Sequence, residues 1–287
     1  MINYVNLCYK FFGNTSKSIR GYFLDIREDL QKANINYTLD EYISTSLFTT
    51  AVTFVIECIL MAFIFGILLH NIFSSIFLSL TLSLSISGVL IFLFFSYPST
   101  VANSCGSNIK KILPFTVSYM ATVASARLPP ITIFRTLSKF KEYGELAKEA
   151  ENIVRSVDVF GMTFSAAIKK QAKTTPSQEF KDILWGINTV ISSGGDLSTF
   201  LKQKSDGLMN DYKRRIRKYS QDLSLYVEIY LTLIITGSIF FIVLSSVIAS
   251  ISTDLGTIVL QSFVVFILLP LVSIGFIVIL KSMSPIE

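Results

Sequence analysis

The residues that carry chemistry in most enzymes are scarce in this chain of 287 residues. A single histidine, His70, lies at the outer edge of an apolar stretch, and the three cysteines, Cys8, Cys58 and Cys105, stand at unrelated spacings. A single histidine in this position excludes histidine-based metal clusters and Ser/His/Asp triads. An odd number of scattered cysteines favours neither a disulfide framework nor a metal site.

Phosphate-binding and nucleophile motifs are also absent. The sequence contains no Gly-x-x-x-x-Gly-Lys-[Ser/Thr] and no Gly-x-Ser-x-Gly, so neither a P-loop nor a nucleophile elbow is present. We therefore predict that the protein is not an enzyme, that it needs no cofactor or metal, and that it transmits or organises something.

Two carboxylates lie in or beside apolar stretches. Glu57 falls near the middle of the first stretch, where a carboxylate is costly. It is either a neutral acid hydrogen-bonded between helices or a group coupled to function. Glu228 falls where a later stretch begins, which favours a hydrated carboxylate at the membrane surface over an ion site.

A basic segment precedes Glu228. It contains Lys213, Arg214, Arg215, Arg217 and Lys218. Two ligands suit such a segment, an acidic protein surface and anionic lipid headgroups. The sequence pI near 9.0 is explained by membrane topology and lipid contact, so we predict no nucleic-acid partner.

The composition is that of an integral membrane protein. Hydrophobic residues make up 51% of the chain and the mean hydropathy is +0.58. Four stretches are long enough to cross a bilayer core, which needs about 20 apolar residues; they are residues 47–69, 72–97, 229–251 and 258–280. We predict an all-α membrane protein with about four transmembrane helices in two pairs, flanking a helical bundle of about six helices.

Charge sets the expected orientation. Residues 98–227 contain 19 Lys and Arg against 11 Asp and Glu, whereas the short loops 70–71 and 252–257 contain no Lys or Arg. The positive-inside rule then places the block and both termini in the cytoplasm of a multi-pass protein of the cell membrane. The expected domains are an N-terminal amphipathic segment (1–46), a transmembrane pair (47–97), the bundle (98–227), a second pair (228–281) and a tail (282–287).

The polar segments are predicted to form helices. Hydrophobic residues at spacings of four and three predict an amphipathic helix within 1–46, which lies on the membrane or packs on the later domain. Another helix is expected over 109–127, with Pro114 starting or bending it. A third begins at Glu142, with Leu146 and Ile153 facing inward and Glu149 outward. A continuous helix from Asp196 to about residue 250 would join the bundle rigidly to the membrane.

The stretch 174–197 has clear helix boundaries. Thr175 is expected as the N-cap, with Pro176 in the first helical position and a Gln three residues after the cap. Gly194 and Gly195 should end this helix, and Asp196 should cap the next. We expect these five residues to be structural in the first place, setting the geometry of the bundle.

An ordered set of motifs resembles a known family. The motifs are Leu-Pro-Phe-Thr-Val-Ser-Tyr-Met-Ala-Thr-Val-Ala-Ser-Ala-Arg-Leu-Pro (113–129), Phe-Arg-Thr-Leu-Ser (134–138), Lys-Glu-Tyr-Gly (141–144) with Glu149-Ala150, Phe-Gly (160–161), Thr-Pro-Ser (175–177) and Gly-Gly-Asp-Leu (194–197). Over residues 105–250 the chain resembles the type II secretion system F domain, in the variant of the archaeal type IV pilus and archaellum platform, which is also similar to the Tad pilus platform. Ala126 departs from the pattern where the family often has Gly.

The resemblance implies a non-catalytic membrane platform. Such a platform is expected to couple a cytoplasmic secretion ATPase to the insertion of pilin-like subunits into a filament. Because this chain shows one copy of the domain, we expect a homodimer or a pair with a second similar platform subunit. Two other classes remain open, a small transporter or channel with a cytoplasmic regulatory domain, and a membrane scaffold or receptor unrelated to secretion.

Overall fold

The computed structural model describes residues 2–35, 37–68, 72–251, 256, 259 and 262–282. All regular secondary structure in these residues is helical, which confirms the all-α prediction. The α-helices are α1 (Ile2–Ile19), α2 (Leu24–Lys32), α3 (Leu39–Leu68), α4 (Ile72–Ser125), α5 (Pro130–Leu137), α6 (Gly144–Asp158), α7 (Phe164–Thr174), α8 (Gln178–Ser193), α9 (Leu197–Ile229), α10 (Gly237–Ile251) and α11 (Leu269–Ser282).

The chain divides into two compact units, Met1–Lys204 and Ser205–Glu287. Within the described residues, three helices are long and apolar enough to cross a membrane; they are Leu39–Leu68, Phe73–Ser125 and Leu197–Ile248. The fourth predicted span, 258–280, contains a shorter apolar helix over Val265–Val278. The expected outer loop 70–71 and most of 252–257 lie outside the described residues, as does His70. The four-span topology therefore stays a prediction.

Helix α4 is longer than the sequence suggests. The helix predicted over 109–127 does not begin there, because one 54-residue helix runs from Ile72 to Ser125 with Pro98 and Pro114 inside it. Pro114 therefore does not start a helix, and that alternative was wrong; the other alternative, that Pro114 bends the helix, stays a prediction. The second apolar stretch and the first helix of the polar block form a single element.

A hydrogen bond explains how the helix tolerates Pro98. A proline has no N–H, so the carbonyl four residues earlier loses its helical donor. For Pro98 that carbonyl belongs to Phe94, and the Tyr42 hydroxyl from α3 donates to it over 2.7 Å. The carbonyl is satisfied from the neighbouring helix, and the apolar stretch continues into the polar block without a break.

The N-terminal segment packs against the rest of the first unit. Helix α2 contacts α3, α4 and α7, and the ring of Phe23 stacks on that of Phe95 in α4 with centroids 4.3 Å apart. The buried residues of this small core are Ile26, Leu30, Leu39, Tyr42 and Ile43. Of the two placements left open by the sequence, α2 adopts the one against the later helices.

The C-terminal half of α4 forms a second core with the short helices. Contacts join α4 to α5, α6 and α8, α5 to α6, α6 to α7, and α7 to α8. The largest fully buried side chains of this core are Ile109, Leu113, Met120, Ile133, Phe134, Leu137, Leu146, Ile153, Ile168, Phe180 and Leu184. Their spacing of three and four along each helix is the pattern from which the bundle was predicted.

The start of α8 differs from the prediction. Its N-cap is Ser177, whose hydroxyl accepts from the Phe180 amide over 3.3 Å. Thr175 is the C-cap of α7 instead, so the Thr-x-x-Gln capping box was wrong. Because α7 ends with Thr175 as its C-cap, Pro176 falls in the middle of the three-residue connection, and the next hydroxyl along the chain, that of Ser177, caps α8.

The end of α8 has the predicted form. Gly194 adopts a left-handed conformation with φ 71°, which a residue without Cβ reaches at little cost. The Gly195 amide donates to the Val190 carbonyl over 2.9 Å and the Gly194 amide to that of Ile191 over 3.3 Å, as in a Schellman motif. Asp196 then accepts from the Ser198 and Thr199 amides over 3.1 and 3.3 Å and so caps α9.

Helical structure continues after α9 through a π-helical stretch, Tyr230–Thr236, into α10. The uninterrupted helix expected from Asp196 to about residue 250 is present in outline, but it is not α-helical throughout. In this stretch the Thr236 hydroxyl donates to the Leu231 carbonyl over 3.3 Å. Wider turns of this kind are local insertions in otherwise α-helical segments.

We expect Tyr42→Phe to destabilise the protein by about 1–3 kcal/mol, because the Phe94 carbonyl would lose the donor that replaces the missing Pro98 amide. Tyr97→Phe is the matched control, since Tyr97 is exposed on α4, the helix that carries the Phe94 carbonyl. The measurement is the midpoint of thermal unfolding of the detergent-solubilised chain. Equal midpoints for both variants would contradict this role of Tyr42.

Candidate functional site

A buried carboxyl group lies inside the helical bundle. Glu149 on α6 is only 8% exposed, although its charge led to the prediction that it faces outward. That prediction was wrong. Glu149 follows Leu146 by three positions and precedes Ile153 by four, and both of these residues are fully buried. The helical period therefore places Glu149 on the inner face.

The carboxyl group has polar neighbours from α7. The Gln171 amide nitrogen donates to the Glu149 carboxylate over 2.5 Å, and Gln171 is itself 8% exposed. The hydroxyl of Thr175 is also buried and lies against the carboxylate without a hydrogen bond of standard geometry. A carboxyl group, an amide and a hydroxyl thus meet where α6 and the end of α7 pack together.

Burial changes the pKa of the Glu149 carboxyl group. Removal from water raises the pKa of Glu149 to about 7, while the interactions with Gln171 and Thr175 lower it and the Glu145 charge raises it. Near neutral pH the site therefore exchanges between a neutral and a charged form. Such a group is a candidate functional residue, because perturbed pKa values concentrate at functional sites.

The connection between α7 and α8 is fixed to α4. A Cβ atom added at Gly106 of α4 would lie 2.8 Å from the Pro176 carbonyl oxygen, so the absence of a side chain allows this close approach. One turn further along α4, Lys110 forms an ion pair with Glu179 in the first turn of α8. The Thr175-Pro176-Ser177 segment is thus held between the buried carboxyl group and the long helix.

Two clefts adjoin this connection, and both include residues of α2. The larger has a volume of about 600 Å³ and includes Glu149, Arg155 and Lys170 in its walls. The smaller has a volume of about 230 Å³ and includes Lys32, Thr175 and Pro176. Sequence reasoning missed both clefts, because it left the position of α2 open.

The turn at Gly194, Gly195 and Asp196 is exposed. The Thr199 hydroxyl and the Ser198 amide lower the pKa of the Asp196 carboxyl group by hydrogen bonding. Directly after the turn α9 packs closely on α8, because a Cβ atom at Gly186 of α8 would overlap the Phe200 ring. The missing side chain at Gly186 therefore allows the first turn of α9 to pack against α8.

The basic segment lies on α9 in the second unit. All five of its cationic residues, Lys213, Arg214, Arg215, Arg217 and Lys218, are exposed. Arg214 forms an ion pair with Asp211 one turn earlier. The other four form no ion pair within the described part of the chain, and their charge is available to a ligand.

The two carboxylates predicted near the membrane have different surroundings. Glu228 on α9 is exposed, and its interpretation as a hydrated carboxylate at the membrane surface stays a prediction. Glu57 on α3 is half-buried, and its Oε2 atom is buried without a hydrogen-bond partner among the described residues. The described ranges also contain no group of three His, Cys, Asp or Glu side chains arranged to hold a metal ion.

Glu149→Gln should remove a pH dependence of stability. The folded protein binds the Glu149 proton more tightly than the unfolded chain does, so the unfolding free energy falls as the pH rises from 4.5 to about 7 and then levels off. The loss is up to about 3 kcal/mol. We expect the unfolding free energy of the Gln variant to lack the part of this decrease that comes from Glu149. The variant should therefore be more stable than the parent at pH 8.

Glu151→Gln is the control for this experiment, since Glu151 is exposed on the same helix. Chemical unfolding followed by tryptophan fluorescence between pH 5 and 8 measures both variants. If Glu149→Gln and the parent lost stability in parallel over this range, the buried carboxyl group would not be the titrating group.

We expect Gly106→Ala to destabilise the protein by about 1–3 kcal/mol, because the new methyl group would overlap the Pro176 carbonyl, which belongs to the backbone. Gly88→Ala on the same helix should be neutral or slightly stabilising, since a Cβ atom there meets nothing within 4 Å. Thermal unfolding of the two variants tests this. A destabilised Gly88 variant beside an unaffected Gly106 variant would refute the close approach.

Comparison with protein families locates this site within a known domain. Residues 116–245 match the family described as Type II secretion system (T2SS), protein F. The match begins inside α4 and includes α5 to α9, so Glu149, Gln171 and the basic segment all fall within it. No solved structure matches the chain.

Curated relatives occur in Methanocaldococcus jannaschii and Methanococcus voltae. The chain is 28% identical over 171 residues to flagella accessory protein J of Methanocaldococcus jannaschii, covering 55% of this chain and 30% of the relative. It is 26% identical over 145 residues to the protein of the same name from Methanococcus voltae, covering 50% and 26%. An uncharacterized protein of Methanocaldococcus jannaschii is 25% identical over 169 residues, covering 59% and 28%.

The matched part of the chain thus spans less than a third of the length of these relatives. The family match coincides with the motifs between Leu113 and Leu197 that carried the resemblance. Residues 116–245 (the F-type domain) therefore match the type II secretion system protein F family, and the relatives of the chain include proteins named flagella accessory protein J, which confirms the resemblance that the motifs predict.

Proposed function

We propose that this protein is a non-catalytic membrane platform that couples a cytoplasmic secretion ATPase to the insertion of pilin-like subunits into a filament. The observation that carries the proposal is the overlap of two features on α4. The F-type domain begins at residue 116, inside the helix whose N-terminal part is apolar enough to cross a membrane. A movement of the domain would reach the bilayer through that helix.

The packing around α4 supports this route. The Gly106 contact and the Lys110–Glu179 ion pair hold the start of α8 against α4. The Tyr42 hydrogen bond holds α4 against α3 on the apolar side of the same helix. A displacement of α8 would thus act on α4 directly, with few flexible residues between the two.

In this proposal the protein crosses the membrane four times, in two pairs, and the bundle and both termini lie in the cytoplasm. The excess of Lys and Arg over residues 98–227 supports this orientation. The three long apolar helices and the shorter one over Val265–Val278 supply the four crossings. A second copy of the chain, or a similar platform subunit, completes the assembly.

The basic segment is the proposed contact for the ATPase, with anionic lipid as its competitor. Four of its five cations have no ion-pair partner in the described residues, and all five are exposed. The positive charge of the segment would raise the association rate and the specificity of binding to an acidic surface on the partner. The exposed turn at Asp196 sets the start of the helix that carries the segment.

Reversing three charges tests the proposal. We expect the triple variant Lys213→Glu, Arg215→Glu and Arg217→Glu to abolish filaments in the native host while the protein still inserts into the membrane. Arg214 is kept because it pairs with Asp211. The triple variant Lys139→Glu, Lys141→Glu and Lys169→Glu is the control, since these positions are exposed elsewhere in the bundle.

The measurements are filaments per cell by electron microscopy, membrane content by immunoblot, and co-purification of the full chain with the cognate ATPase. Loss of filaments together with loss of ATPase co-purification is the expected result. Normal filament numbers in the first triple variant would contradict the role of the basic segment.

A further inference from the structure

The larger cleft is a cavity of the size that small ligands occupy. Its volume of about 600 Å³ falls within the range of roughly 300–1,000 Å³ found for ligand sites. One wall comes from α2 and the residues that follow it, and the other from α6 and α7. The α2 wall lies outside the matched F-type domain, so the cleft exists only where the N-terminal segment packs on that domain.

The charge in the cleft is mainly positive. Arg155 and Lys170 both lie over the ring of Phe160, at 5.8 and 5.7 Å from its centroid. Neither forms an ion pair within the part of the chain that the structure describes. The ring therefore contacts two cations of the cleft wall without neutralising them. Glu149 is the one acidic residue in the walls.

The remaining polar groups of the walls supply hydrogen-bond donors. Side-chain amides come from Gln31 and Asn34 on one side and from Asn152 and Gln171 on the other, and Ser156 adds a hydroxyl. An arginine, a lysine and several amides together suit a group with several acceptor oxygens and more than one negative charge. A phosphate group has this chemistry, whereas a single carboxylate would leave donors unused.

We propose that this cleft binds a phosphate group, held by Arg155 and Lys170 and by the amides of Gln31, Asn34 and Asn152. Two sources of phosphate are within reach. One is a soluble phosphate compound in the cytoplasm. The other is the headgroup of an anionic lipid, because Ile35 in the cleft wall is followed closely by α3, whose span begins at Leu39.

The first arm of the test uses inorganic pyrophosphate and the full chain in a neutral detergent. A ligand that binds only the folded state raises the midpoint of thermal unfolding, and isothermal titration gives its affinity. We expect saturable binding to the parent at constant ionic strength. The double variant Arg155→Gln and Lys170→Gln should bind at least tenfold more weakly.

The matched control is the double variant Lys139→Gln and Lys169→Gln. It removes the same charge from exposed positions outside both clefts, and it should bind pyrophosphate like the parent. Circular dichroism and size exclusion establish that both double variants are folded. Equal affinity of the cleft variant and the parent would overturn the proposal, as would an equal loss in the control.

The second arm separates the two sources with nanodiscs of phosphatidylglycerol or phosphatidylcholine. If a lipid headgroup occupies the cleft, pyrophosphate should bind at least tenfold more weakly in phosphatidylglycerol than in phosphatidylcholine. Equal affinity in the two lipids assigns the cleft to a soluble phosphate compound. No binding of pyrophosphate in detergent or in either nanodisc would overturn the proposal, and so would saturable binding of a polyglutamate peptide in place of pyrophosphate.

Discussion

The hydrogen bond from Tyr42 to the Phe94 carbonyl stabilises α4 at the point where a proline would otherwise leave a backbone group unpaired. An unpaired carbonyl in an apolar environment is costly. The packing of α3 on α4 removes that cost and lets one helix carry both an apolar stretch long enough to cross a membrane and the first helix of the bundle. The packing of α2, α6 and α8 on α4 all follows from this single element.

A second constraint acts inside the bundle, where a carboxyl group replaces an apolar residue on the inner face of α6. Glu149 is tolerated because Gln171 donates to it and because its raised pKa allows it to be neutral. An apolar residue would fill this position at lower cost. The carboxyl group also lies in the wall of the larger cleft, so its charge would respond to any anion held there.

Much of this organisation could be predicted from the sequence, since it depends on periodicity and local turn chemistry. The inner face of α8, the left-handed Gly194 and the Asp196 cap follow from residue types at fixed spacings. The predicted start of α8 was wrong because Thr175 and Ser177 are both suitable N-cap residues, and the end of α7 decides which of them caps α8. Glu149 was placed outside because its charge was weighed above its spacing. The long α4 and the clefts depend on contacts between distant segments, such as Tyr42 with Phe94, which one sequence does not reveal.

Hydrogen–deuterium exchange of the full chain in lipid nanodiscs tests most directly whether the apolar stretch of α4 and the F-type domain share one helix. The decisive amides are those of residues 99–108, which follow Pro98 on α4. They should exchange slowly, like those of residues 115–124 in the bundle, whereas the connection around Arg127 and Leu128 should exchange quickly. Rapid exchange over residues 99–108 would show a flexible linker there and would contradict a direct helical connection between membrane and domain.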